Sequence, residues 1–426
     1  MSAALFSLAQ ARREKRAAGI VSVCSAHPTV IAATCAHYRD SEGPVLIEAT
    51  CNQVNQDGGY TGMNPAAFRA FVEGIAEQEG FDAGRLILGG DHLGPNPWRH
   101  LPVEAALAKA EAMVAAYVRA GFTKLHLDAS MGCAGEPEAL EDRETAARAA
   151  RLARVAERAA KEAGVQPPVY IIGTEVPTPG GALHDLDGLV ATSPAAALET
   201  IATHRAVFGT NGLADAFERV IGLVVQPGVE FGNADVIAYQ PAKALALSAV
   251  LLETPQFVFE AHSTDYQPAN ALAALVRDGF AILKVGPWLT FALREALYGL
   301  DQIARALNPA DSGESLPDVM ECLMLREPES WRKHYHGDAN GLRIQRHFSY
   351  SDRIRYYWPH PEAQAAVDRL SARLGGRTIP EPLISQYLGA LYPAVMAGAV
   401  SATSKDLRIA AVRRVLKFYS DACERC

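Results

Sequence analysis

Basic runs, long apolar runs and nucleotide-binding glycine loops are all missing from this 426-residue chain. Lys and Arg number 40 against 48 Asp and Glu, a net charge of −8 with no basic block. That balance excludes a polyanion-binding surface, so nucleic acid is not an expected partner. No apolar stretch approaches the roughly 18 residues that cross a bilayer. A cytoplasmic protein with no membrane partner is therefore expected. The seven cysteines, at 24, 35, 51, 133, 322, 423 and 426, are scattered and odd in number. They fit reduced thiols rather than a disulfide framework, and Cys423-x-x-Cys426 reads as a flexible tail. No Gly-x-Gly-x-x-Gly follows the first strand-like run, and no Gly-x-x-x-x-Gly-Lys-Ser/Thr occurs. The open nucleotide-binding sheets thus lose their signature.

What the chain does have is repetition of one unit. Eight short apolar runs, at 20–24, 45–47, 85–90, 124–127, 169–172, 221–225, 257–259 and 281–283, each end in polar residues and each lead into a helix-like stretch. Such alternation specifies a parallel sheet, and eight units close an α/β barrel of the (β/α)8, or TIM, type. The apolar residues and trailing charges before Arg16 read as a leading amphipathic helix. The barrel is expected over residues 1–306. A mainly helical extension over 307–426 is expected to pack on it, with Asp352 to Trp358 as a docking surface or subunit contact.

In such barrels the residues just past the strands form the site. Here they are Glu48, Asp91, His92, Asp128, Glu175, Glu230, Glu260, His262, Asp265 and Lys284. Carboxylates and imidazoles converging from distant strands are ligands for a divalent ion, zinc or manganese, which offsets their repulsion and polarises a carbonyl or hydroxyl. His92, His262 and Glu175 are the expected metal ligands. Asp91 and Glu175 are the expected proton carriers. Glu48, Asn52, Asp128, Gln226, Ser263 and Lys284 are expected to hold a polyhydroxylated substrate. For Lys284 three roles stay open: gripping a phosphate, forming a Schiff base, or neutralising the acidic mouth. His126 and Cys133 read as core and loop residues.

The segments Gly89-Gly90-Asp91-His92-Leu93-Gly94-Pro95-Asn96, His126-Leu127-Asp128-Ala129-Ser130-Met131, Thr174-Glu175-Val176-Pro177, Val225-Gln226-Pro227-Gly228-Val229-Glu230-Phe231, Glu260-Ala261-His262-Ser263-Thr264-Asp265 and Leu283-Lys284-Val285-Gly286-Pro287 lie in order over nearly the whole chain. Together they resemble the Z-subunit family of class II tagatose-bisphosphate aldolases. The resemblance implies a barrel protein of galactitol and tagatose catabolism. Its described role is to bind a ketohexose phosphate and support a separate Y-type catalytic subunit. Some members are labelled tagatose-6-phosphate kinases, and others are metal-dependent ketohexose-6-phosphate 4-epimerases. The wider class II aldolases set a catalytic aspartate beside a zinc-binding histidine after the third strand, which carries over to Asp91 and His92. The chain departs from them after the sixth strand, where Gln226 replaces a histidine, and after the eighth, where Lys284-Val285-Gly286-Pro287 replaces the phosphate motif. The two resulting readings are an accessory subunit, whose name the resemblance carries, and a stand-alone 4-epimerase, which the ionisable mouth favours. A kinase is disfavoured because no phosphate-cradling loop is visible. The chain is also compatible with a homo-oligomer.

Overall fold

A computed structural model describes residues 2–174, 189–311 and 313–424. The strands are β1 (Ile20–Cys24), β2 (Val45–Thr50), β3 (Leu86–Leu93), β4 (Lys124–Leu127), β5 (Val169–Ile172), β6 (Val220–Val225), β7 (Glu230–Phe231), β8 (Val236–Ile237), β9 (Val258–Ala261) and β10 (Ile282–Val285). All but β7 and β8 form one closed parallel barrel in the order β1-β10-β9-β6-β5-β4-β3-β2. The expected eight-stranded barrel is thus the observed one. β7 and β8 pair as an antiparallel hairpin beyond the carboxyl end of β6.

Alternate residues of a strand face the barrel interior, and here they build it in layers. At the bottom, Leu5, Leu8 and Ala9 of the helix Ser2–Arg13 pack with Ile20, Leu46, Ile87, Val169, Ile171, Val258 and Ile282 as one apolar cluster. The leading helix is therefore a plug for the barrel floor. Two residues further along their strands stand Ser22, Glu48, Gly89, Glu260 and Lys284, and the next step reaches Asp91 and His262. The larger apolar cluster lies outside the sheet, between strands and helices.

The helices Pro28–Tyr38 and Ala269–Arg277 follow β1 and β9 directly. The place between them in the outer ring is not taken by Pro287–Leu307, which follows β10. The helix Ser404–Glu424 packs against both neighbours and against β1, while Pro287–Leu307 lies against Ser404–Glu424. Tyr419 locks this arrangement: it is fully buried, and its hydroxyl donates to the Thr264 carbonyl at 2.6 Å. Cys423 belongs to the same helix and is half-buried against the core, so it is no flexible tail; Cys426 lies outside the described residues. The segment between also folds onto the barrel. Asn233, in the β7–β8 turn, accepts from Ser349 and Ser351 at 2.8 and 3.0 Å, and Tyr266 donates to the Tyr350 carbonyl at 2.7 Å. No helix among the described residues is long and apolar enough to cross a membrane.

Because Ser404–Glu424 completes the ring, removing it should cost the whole barrel its cooperative unfolding rather than trim an appendage. Circular dichroism of a chain ending before Ser404 tests this, and a melt matching that of the full chain would contradict it.

Candidate active site

The second layer of the interior is a closed ionic network. Lys124 Nζ lies 2.7 Å from Glu48 Oε1 and 2.7 Å from Glu260 Oε2. Lys284 Nζ lies 3.4 Å from Glu48 Oε2, 3.3 Å from Glu260 Oε1, and in direct contact with Asp91. Ser22 Oγ adds a 2.7 Å bond to Glu48. Ser22, Glu48, Lys124 and Glu260 have no exposed surface. Burial opposes the charge on Lys284, but Asp91, Glu260 and Glu48 outweigh it and hold the ammonium well above the usual lysine range.

This network overturns the expected role of Glu48 and shows Lys284 in one of its three open roles. Glu48 is sealed beneath the site and unavailable to a ligand, because Gly89 beside it leaves just enough room: a Cβ there would come within 2.8 Å of the Glu48 side chain. Lys284 neutralises carboxylates rather than presenting the uncharged amine that a Schiff base requires. Lys124 was not among the expected site residues at all.

Above the network sits a cluster that could hold a metal ion. Asp91, His92, His126 and His262 each offer a ligand atom, all within 4.8 Å of one another. Asp91 and His92 are consecutive and would ordinarily point to opposite faces of a strand. A register shift between Gly90 and Leu93 and a positive φ of 49° at His92 turn both toward the mouth. A bulge that re-aims a side chain, held in a left-handed conformation costing about 1–3 kcal/mol, is a recurrent device of functional sites. Gly94 permits the return: a Cβ there would lie 1.7 Å from the Asp128 carbonyl oxygen. The glycines around His92 therefore serve close packing, not openness.

Each imidazole has one nitrogen committed outward. His92 Nδ1 meets Asp128 Oδ2 at 2.9 Å, His262 Nε2 meets Glu260 Oε1 at 3.0 Å, and His126 Nε2 meets the Gly173 carbonyl at 2.9 Å. A carboxylate or carbonyl acceptor fixes the proton on that nitrogen and leaves the other, His92 Nε2, His126 Nδ1 or His262 Nδ1, as the lone-pair atom. This is how proteins orient metal-binding histidines. His126 Nδ1 also receives the His92 N–H at 3.2 Å while facing Asp91 Oδ1 at 3.0 Å. Two acceptors set face to face call for a cation nearby. Burial works against a charge on His92, but Asp91 and Asp128 outweigh it and raise its proton affinity. His262, by contrast, is pushed down to about 3 by burial and by Lys284, and is a neutral imidazole. Three imidazoles with the Asp91 carboxylate beside them are chemistry that fits zinc or manganese, the imidazoles as ligands.

The remaining expected residues divide. Asp128 orients His92 and accepts from Ser130 Oγ at 2.7 Å, so it is a support rather than a substrate contact. Gln226 turns its side-chain oxygen to the amides of Gly228 and Val229, at 2.7 and 2.9 Å, and shapes its loop. Asn52 is exposed on the loop after β2, and its neighbour Gln53 lines the adjoining cavity instead. Ser263 is buried with a positive φ of 52°, beside His262. Glu230 is buried in the β7–β8 hairpin, where its Oε1 accepts from the Phe231 amide. Glu175 lies outside the described residues. His126, read as core, is buried as expected yet belongs to the cluster. The signal for it was available: Lys124, His126 and Asp128 sit at i, i+2 and i+4, on one face of β4 and its extension.

Fold and site together define a (β/α)8 barrel with the histidine and carboxylate mouth of the class II aldolase type. The chain belongs to the D-tagatose-1,6-bisphosphate aldolase subunit GatZ/KbaZ-like family, whose model matches residues 5–424. It is 60% identical over 422 residues, 99% of each chain, to the D-tagatose 6-phosphate 4-epimerase of Agrobacterium fabrum. It also resembles the crystal structure of a protein from Sinorhizobium meliloti 1021 described as a probable tagatose 6 phosphate kinase, with 60% identity and a TM-score of 0.89 over 95% of this chain and all of that one.

Two outcomes follow from the geometry. Lys124→Met should destabilise the fold by about 3–5 kcal/mol, since it strands two buried carboxylates; urea unfolding measures this, and a change below 1 kcal/mol would sink the network's structural role. Asp128→Asn should weaken divalent-ion binding about 10- to 100-fold by loosening His92, read by metal titration, and unaltered affinity would refute the assignment.

Proposed function

We propose that the chain is a stand-alone 4-epimerase of ketohexose 6-phosphates, interconverting tagatose 6-phosphate and fructose 6-phosphate by carbon–carbon cleavage and re-addition. The observation that carries this reading is the convergence of three outwardly anchored imidazoles on Asp91 at the barrel mouth, and the similarity to an epimerase over the full chain supports it. A divalent ion held by His92, His126 and His262 would supply Lewis acidity toward the oxygens at C2 and C3. The hydrogen at C4 is not α to the carbonyl, so inversion by simple deprotonation there is unfavourable.

Asp91 is the proton carrier. Burial pushes its carboxyl up, but His92 and Lys284 outweigh that and hold it well below the usual carboxylate range, so it is ionised and free of a proton of its own. It takes the proton of the C4 hydroxyl. The C3–C4 bond then breaks, its electron pair staying on the three-carbon ketose fragment as an enediolate, and C4 becomes the aldehyde carbon of glyceraldehyde 3-phosphate. Rotation of that aldehyde presents its other face. C3 attacks, the bond reforms with C4 inverted, and Asp91 returns its proton to the new C4 oxygen. Nothing is consumed, and no external oxidant is needed. Lys284, fixed between Asp91 and the two buried glutamates, holds the carboxylate in place. Glu175, on the loop after β5, is proposed as a second proton carrier and ligand.

The family description favours a second reading, an accessory subunit that activates a Y-type aldolase. Mixing the chain with such an aldolase and following bisphosphate cleavage tests it independently.

For the first reading, the purified chain with manganese or zinc should interconvert the two ketose phosphates without ATP or NAD. Asp91→Asn should lower the rate about 10²- to 10⁴-fold. Turnover in D2O should leave C4 free of deuterium, because its hydrogen stays on the aldehyde throughout. Deuterium at C4 would overturn the cleavage mechanism, and no interconversion at all would overturn the epimerase.

A further inference from the structure

A cavity of about 530 Å³ lies between the barrel mouth and the C-terminal segment. Cys24 lines it, and Cys24 Sγ lies 4.0 Å from Asp91 Oδ2. The rest of its wall brings together the turn after β1, the loop after β2 and the C-terminal segment, which contributes Arg355, Trp358 and Arg408. The stretch from Asp352 to Trp358 is thus not an outer docking surface: Ile354, Tyr357 and Trp358 are buried, and Arg355 faces the cavity.

Arg355 is held in a fixed pose. Its Nη1 donates to the Ser351 carbonyl at 2.5 Å and the Asp352 carbonyl at 3.1 Å, and its Nη2 donates to the Tyr356 hydroxyl at 3.1 Å. A guanidinium has five N–H donors. Nε–H and the second Nη2 hydrogen have no acceptor among the described residues. Neither neighbouring carboxylate takes a bond from it: Asp352 accepts from Thr290 at 2.5 Å, and Asp265 accepts from the amides of Gly286 and Trp288 at 3.1 and 2.7 Å. Burial pushes the Asp352 carboxyl up to about 7, which reduces the negative charge facing Arg355. Arg408 is the weaker candidate, since burial lowers its proton affinity and the Asp368 carboxylate shares its part of the wall.

Barrels commonly seat phosphate at the start of the helix after the last strand. Here Asp265 already occupies that place, accepting the Gly286 and Trp288 amides at the head of the helix Pro287–Leu307. An internal carboxylate would repel a phosphate there. Ser25 and Thr29 instead place hydroxyls on the wall of the cavity that Arg355 enters.

We propose that Arg355 is the anchor of an anion subsite in this cavity, taking the phosphate ester of the substrate, so that phosphate recognition belongs to the C-terminal segment. For the identity of the sugar this rests on the epimerase reading; for the anion it does not.

The test is calorimetric titration of inorganic phosphate into the wild-type chain, Arg355→Gln and Arg355→Lys. Phosphate should bind the wild type and bind the glutamine variant about 10- to 100-fold more weakly, the fold-change of a lost charge-assisted pair, with lysine between. Undiminished affinity in Arg355→Gln, or no phosphate binding by the wild type, would overturn the subsite. Should the variants fail to fold, a crystal of the wild type soaked in phosphate decides, with an anion on Arg355 supporting the proposal and one seated elsewhere refuting it. The readout needs no turnover. A chain that binds phosphate through Arg355 but does not epimerise would sink the proposed reaction alone, whereas an active epimerase whose variant keeps its phosphate affinity and its KM for tagatose 6-phosphate would sink the subsite alone.

Discussion

Two lysines and three carboxylates, packed against one another in the middle of the barrel, set the terms for everything above them. Lys124 and Lys284 face Glu48, Glu260 and Asp91, and Asp128 adds a fourth carboxylate just above. Buried ion pairs are costly to desolvate and more costly to break, so this layer tolerates neither loss nor rearrangement of a member. Its four negative groups exceed its two positive ones by two. That excess is what draws protons toward His92 and what a divalent ion would balance. The site is therefore specified from below, by the floor on which the imidazoles stand.

The same dependence appears in the backbone. β3 could deliver only one of Asp91 and His92 to the mouth if it ran straight, and its register shift delivers both. The shift in turn relies on Gly89 for the bulk of Glu48 and on Gly94 for the approach of the Asp128 carbonyl. Charged floor, bulged strand and oriented imidazoles form one mutually constrained unit.

The eight strands were legible because each apolar run stops at a polar residue, and the pairing of Asp91 with His92 was legible because it falls at such a stop. Lys124 and His126 were not, because Leu125 and Leu127, which alternate with them and pack outside the sheet, make the run look apolar. A barrel strand is judged by its alternate residues, and a four-residue strand offers too few for the pattern to stand out. Glu48 misled for the opposite reason: it ends an apolar run, yet β2 continues two residues past it to Thr50, placing it one layer too deep. The role of Arg355 depends on contacts between segments some 300 residues apart in sequence, which no local pattern records.

The helix Ser404–Glu424 fills the ring position beside β1, the first barrel strand made. A ribosome therefore releases nearly all of this barrel before the piece that covers its opening seam is available. Until then the outer faces of β1 and Pro28–Tyr38 lack the partner that covers them in the finished fold. Completion of the fold in this sense waits on a segment some 380 residues along the chain from the strand it covers.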